Sequence, residues 1–181
     1  MTSPVQGPWI DLGYQSFARE GPAGLKVEQL ARAVGKNKSS FYHHFADLDT
    51  FTEVLLDHHL NQARVMAHKE VACQSRDELI EIILDHKVDL LFNRQLRIHR
   101  QHPGFAACFE RTNQITGPAF LGIWAKIIGL SSQTHLAELV LQLSMENFFL
   151  QITEATLNES WLQDYFQRLK ATVSALTHRD H

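Results

Sequence analysis

The sequence is poor in features that would settle its class at once. It has two cysteines, Cys73 and Cys108, in 181 residues. That is too few for a disulfide scaffold, so both read as free thiols in a reducing compartment. No apolar run approaches the ~20 residues of a membrane span. The first residues lack the charged-then-apolar pattern of a secretory signal. The expected setting is therefore the cytoplasm, with no membrane as partner. Basic charge is not in excess: 17 Lys+Arg stand against 20 Asp+Glu, a net charge of −3 with histidine neutral. Any surface that binds an anion must then be local. There is no Gly-rich phosphate loop, no GxSxG elbow and no HExxH helix. No catalytic constellation stands out, so the chain is not expected to be an enzyme, and nothing asks for a cofactor. No stretch alternates like a strand, and there is no internal repeat.

What is present is a 44% hydrophobic content, enough for a core, arranged with helical periodicity. The spacing predicts an all-α chain. Residues 8–20 begin with Pro8, suited to a first helical turn, and repeat Ile10, Tyr14 and Phe17 on one face. Gly21, Pro22 and Gly24 break that helix. Val27, Leu30, Ala31 and Val34 form a second helix ending at Gly35, a left-handed C-cap. Asn37 caps a short third helix with Phe41 and Phe45 inward. Asp47 caps a longer fourth helix reaching about Val71. Further helices are expected at 76–101, 105–116, 118–128, 133–156 and 159–177, the last capped by Asn158. Pro103-Gly104, Gly117-Pro118 and Gly129 are the expected breaks.

The second and third helices carry the most specific spacing. Ala31 is followed four residues later by Gly35 and ten later by Phe41. A helix-turn-helix needs a small residue at the crossing, a glycine in the turn and an apolar plug from the second helix. In "GKNKSSFYHHF" (35–45) the polar half can then face a DNA groove. Lys38, Ser39 and Ser40 form its first turn, where free amides and the helix dipole favour phosphate. Tyr42 and His44 can reach phosphates with their polar tips. Lys36, Asn37 and His43 complete the exposed set. Residues 1–45 hold five basic side chains (Arg19, Lys26, Arg32, Lys36, Lys38) and three acidic ones (Asp11, Glu20, Glu28), so their local charge is 5 − 3 = +2.

These segments resemble the TetR family of bacterial repressors. The matching residues are "FAREG" (17–21), "VEQLARAVG" (27–35) and "SSFYHHF" (39–45), followed by an acidic-capped helix from Asp47. In the pattern of the family Lys26 replaces a Thr or Ser cap, Lys36 an apolar residue and Leu48 a phosphate-contacting Lys. The resemblance implies a helix-turn-helix DNA-binding domain over 1–47 and a helical ligand-binding and dimerisation domain over 48–181. It implies a homodimeric regulator on palindromic duplex DNA, a repressor released by a small organic effector, with Lys26 and Lys36 added to the DNA-contacting set.

For the effector, the apolar walls on offer are Phe92, Leu96, Phe105, Phe109, Phe120, Trp124 and Phe149, and Arg111, Asn113 and Gln114 supply polar groups. For the dimer, Leu136, Val140 and Leu143 step along one helix, and Leu162, Phe166, Leu169 and Val173 along the next, with Trp161 on its flank. Three rival readings use the same residues. A metal-responsive regulator would use His86, His99, His102 and Cys108, since imidazole and thiolate suit zinc or copper. A helical dimerisation module with no DNA role is another, and a small helical enzyme the third. Adjacent histidines such as His43-His44 point ~100° apart on a helix and cannot easily share an ion, so no metal is assigned there.

Overall fold

The computed structural model describes residues 6–177, the side chain of residue 176 excepted. The outermost parts of the two expected domains, residues 1–5 and 178–181, lie outside them. The described residues contain helices and no strand. In order they are α1 (Gly7–Glu20), a 3₁₀ turn (Gly21–Gly24), α2 (Val27–Val34), α3 (Lys38–His44), α4 (Leu48–Ala72), α5 (Arg76–Asp85), α6 (Lys87–Ile98), α7 (Pro103–Ile128), α8 (Thr134–Gln151) and α9 (Glu159–Thr177).

Local chemistry explains most of the boundaries. Gly35 sits at φ 70°, ψ 32°, and its amide returns to the carbonyls of Ala31 and Arg32. That left-handed conformation is cheap only for glycine. Asn37 Oδ1 accepts from the Ser40 amide at 2.9 Å, Asp47 Oδ1 from Thr50 at 2.7 Å and Asn158 Oδ1 from Trp161 at 3.1 Å. Each satisfies an amide that the helix start leaves free. Lys26, at the N-cap of α2, offers no side-chain cap.

Three expected boundaries are corrected. The segment 76–101 is two helices, because the chain turns at His86 (φ −99°, ψ 23°) before α6 begins. Gly117-Pro118 does not break the chain, and α7 runs through Pro118. Proline fixes φ near the helical value, and the ladder loses the one bond its missing N–H would make. Buried Phe105 and Cys108 on one side, and Ile123 and Trp124 on the other, hold the two halves. Conversely, α8 stops at Gln151, short of 156. Thr153 and Thr156 exchange amide-to-hydroxyl bonds at 2.8 and 3.1 Å, and the Thr156 hydroxyl donates to the Gln151 carbonyl at 3.0 Å. Such hydroxyls offer the backbone partners outside a helix.

The chain divides into two compact units: Met1–Ala63 with Val88–Thr112, and Arg64–Lys87 with Asn113–His181. The first has an aromatic core. Phe41 meets Trp9 edge-on at 5.5 Å and Phe51 at 5.2 Å, while Phe92 lies against Tyr14 and Phe17, both at 4.3 Å. A Cβ on Gly13 would run into the Phe51 ring, so this close crossing of α1 and α4 requires glycine. The second unit is built on Leu79, Ile83, Ile123, Trp124, Phe148, Leu162, Phe166 and Val173, all buried. There the Tyr165 hydroxyl donates to the Ser144 carbonyl at 2.8 Å, tying α9 to α8.

Candidate DNA-reading surface

The candidate surface is built by one contrast along α3. Phe41 and Phe45 are 0% and 2% exposed and lock the helix onto Trp9 and Phe51. The opposite side is wet: Lys36, Asn37, Lys38, Ser39, Tyr42 and His43 are exposed, Ser40 and His44 half-buried. Lys26 is exposed at the start of α2. The structure therefore brings every expected DNA-contacting residue to the accessible side of α2 and α3. Tyr42 packs its ring edge-on against Phe41 at 5.4 Å, which leaves the hydroxyl outward on a steadied ring. The carbonyl of His44, at the end of the helix, accepts from Gln6 Nε2 at 3.3 Å.

One partner was not foreseen. Glu28, on α2, forms a hydrogen-bonded ion pair with Lys38. That bond holds the Glu28 carboxyl below its ordinary range, with the Glu28 backbone amide and the Lys38 charge adding to the effect. The two residues are ten apart, and only the fold of α2 against α3 joins them.

A buried polar node fastens α1 to α4 and α6. The Tyr14 hydroxyl donates to Asp89 Oδ1 at 2.7 Å and lies 2.6 Å from His59 Nδ1. With its own proton given to Asp89, the hydroxyl accepts, so His59 is the Nδ1–H tautomer. Burial lowers the His59 pKa to about 4, which keeps the ring neutral. Gln95 Nε2, further along α6, donates to the Arg19 carbonyl at the end of α1 at 3.2 Å. Sequence periodicity presented Tyr14 as one more apolar-face residue. Its polar role could be suspected only from the rule that a buried tyrosine hydroxyl needs a partner.

The expected effector residues divide between the two units. Phe92, Leu96 and Phe105 are buried in the first unit, Phe92 and Phe105 against Phe17. Phe109 is half-buried there beneath the Arg97 guanidinium, 4.7 Å from its ring centre, and Arg111 is exposed. Asn113 and Gln114 are exposed in the second unit, and Trp124 and Phe149 are buried in its core. On the dimer stripes, Phe166 and Val173 face the second unit's own core. Leu136, Val140, Trp161 and Leu169 are half-buried, and Leu143 is 73% exposed with Leu139 and Leu150 beside it on α8. The four metal candidates are not assembled. His99 lies beside Gly21, His102 against Phe105 at 4.4 Å, and the Cys108 thiol points to the Leu56 carbonyl. Burial, first among several influences, pushes that thiol up to about 11. Among the described residues no three His, Cys, Asp or Glu side chains are grouped to hold an ion. No described helix is long and apolar enough to cross a membrane.

Two short helices joined through a left-handed glycine, the second anchored by aromatics and polar on its outer side, define a helix-turn-helix protein of the all-α class. Residues 10–49 match the family of bacterial regulatory proteins called the tetR family. No curated protein matches the chain. Among solved structures, a Rhodococcus sp. protein assigned as a TetR-family transcriptional regulator superposes with a TM-score of 0.54. The likeness covers 96% of this chain and 98% of that one at 18% identity, and it supports the fold. Through residues 10–49 the chain is similar to the tetR family.

Proposed function

We propose that this protein is a DNA-binding transcriptional regulator, a cytoplasmic homodimeric repressor that reads a palindromic duplex site and leaves it when a small organic effector binds. Residues 1–47 would read the DNA, and 48–181 would bind the effector and dimerise. The observation that carries the reading is α3 itself, with its polar first turn outward and Phe41 and Phe45 inward. Lys38, Ser39 and Ser40 face base edges; Lys26, Lys36, Asn37, Tyr42, His43 and His44 face phosphates. Phe92, Leu96 and Phe105 are close-packed, so an effector that uses them selects a conformation in which they part. Linkage then requires DNA to weaken effector binding by the factor by which effector weakens DNA binding. Proteins of this family are generally not enzymes, and no catalytic role is assigned.

Selection from a random duplex library at low salt should recover a palindrome, with affinity falling steeply as salt rises because phosphate contacts release counterions. Recovery of no enriched sequence would sink the proposal. Replacing Lys38 should change base preference, and replacing Tyr42 should weaken all sites alike.

Glu28→Gln should tighten DNA binding by about two- to fivefold, since Lys38 is then no longer paired and one carboxylate leaves the reading surface. Fluorescence anisotropy on the selected site measures it; unchanged or weaker affinity would show that the pair does not compete with DNA.

Leu143→Glu with Leu150→Glu should give a folded monomer in sedimentation, where wild type runs at twice the chain mass. Both side chains are more than 70% exposed, so their loss leaves the unit's own core intact. A double variant that remains dimeric would move the interface elsewhere.

A further inference from the structure

An open cleft of about 630 Å³ lies in the second unit, between the start of α5, the last turns of α7 and one face of α9. Its apolar floor is Ile123, Ile127, Phe166 and Ala171, and its polar rim includes Arg76, Asp77, Lys126 and Lys170. On α7, Ile123, Lys126 and Ile127 are i, i+3 and i+4. On α9, Gln167, Lys170, Ala171 and Ser174 are i, i+3, i+4 and i+7, with Phe166 beside them, so each helix brings apolar and cationic side chains to one wall.

The charges do not cancel. Arg76 pairs with Asp77 at 3.3 Å, which accounts for the one carboxylate of the lining. Lys126 donates to the Gln74 carbonyl at 2.9 Å, a neutral partner, and among the described residues no carboxylate pairs with Lys126 or Lys170. The rim therefore keeps two positive charges above an apolar floor. The volume falls within the range of small-molecule sites, which pair apolar walls with a few placed polar groups.

We infer that this cleft binds an anionic amphiphile, a single carboxylate on an unbranched alkyl chain, with the carboxylate between Lys126 and Lys170 and the chain along Ile123, Ile127 and Phe166. The two lysines select the charge, and the floor selects the chain. The inference does not depend on DNA binding. It rests on the proposed regulator only if the amphiphile also proves to be the effector.

The probe is sodium decanoate, titrated calorimetrically below its micelle concentration against the full chain without DNA. Saturable binding at one site per chain is expected. Affinity should fall about three- to fourfold for each methylene removed, and it should fall with added salt. Lys126→Gln with Lys170→Gln should weaken it by roughly tenfold, in line with the loss of hydrogen bonds to charged groups. Both lysines are exposed, so this variant should melt like wild type. Ala171→Trp, which fills the cleft, should abolish binding, and decanol should bind far more weakly than decanoate. Absence of saturable binding, decanoate binding equally well to the double lysine variant, or decanol binding as tightly as decanoate would each overturn the inference. If decanoate binds as inferred but leaves DNA affinity unchanged, the site stands and its role as effector site falls.

Discussion

Phe41→Ala should abolish DNA binding and destabilise the first unit by about 3–5 kcal/mol, the range for emptying an aromatic from a core. Phe41 is fully buried and touches Trp9, Phe45 and Phe51 at ring separations of 5.2–5.5 Å. It is also the plug that holds α3, a helix of seven residues. A helix that short has no stability of its own in water, so without the plug its polar turn is no longer presented in one orientation. Tyr42→Ala is the control: Tyr42 is the next residue, 53% exposed, and its loss should weaken DNA binding while leaving thermal unfolding nearly unchanged. A Phe41→Ala protein that melts within a degree of wild type would show that α3 is held by something else.

Glu70→Gln should act in the other direction. Glu70 is 2% exposed, and its Oε2 has no hydrogen-bond partner among the described residues. Burial pushes its carboxyl pKa up from 4.5 to about 8. Below pH 4.5 the folded and unfolded chains both hold the proton, and the group makes no difference. Between 4.5 and 8 the unfolded chain releases the proton while the folded chain keeps it, so stability falls as pH rises and the full penalty is present above 8. At pH 7 the penalty is roughly 3 kcal/mol. Glutamine carries no such penalty, although its amide must still be buried. The variant should therefore be more stable than wild type at pH 7 by roughly 2–3 kcal/mol. It should also lose most of the decline in melting temperature that wild type shows from pH 5 to 8. Identical pH slopes in the two proteins would mean that Glu70 is charged in the folded state and has found a partner.

The two predictions differ in how visible their residues are in the sequence. Phe41 could be placed because a helix-turn-helix fixes a residue at that distance from Gly35. The caps Asn37, Asp47 and Asn158 were legible for a similar reason, since each acts on amides two or three residues away. Glu70 was not legible. On a long helix a glutamate reads as solvated, and only tertiary packing buries it.

The same limit applies wherever a side chain's partner is distant. An apolar stripe on α9 looks alike whether it meets its own core or a second subunit, and Phe166 and Val173 meet their own. Phe92 and Leu96 look alike as pocket wall or as core; both are buried, and only the fold brings the rings of Tyr14 and Phe17 against Phe92. Gly117-Pro118 reads as a break because local preference argues for one, whereas packing on both sides keeps α7 whole. In the reading surface, the residue types of α3 announced which side is wet. The ion pair that restrains Lys38 lies across the turn, and no periodicity in either helix points to it.

Pro118 has a further consequence, for the rate at which α7 opens. The carbonyl of Gln114 has no amide to receive four residues on, so the backbone ladder has a gap near the middle of a 26-residue helix. Pro103–Thr112 belongs to one compact unit and Asn113–Ile128 to the other. Unwinding that starts in either half reaches the gap with one bond fewer to break. Deuterium uptake along α7 should therefore proceed as two blocks, each with its own opening free energy, and with the least protected amides close to Pro118.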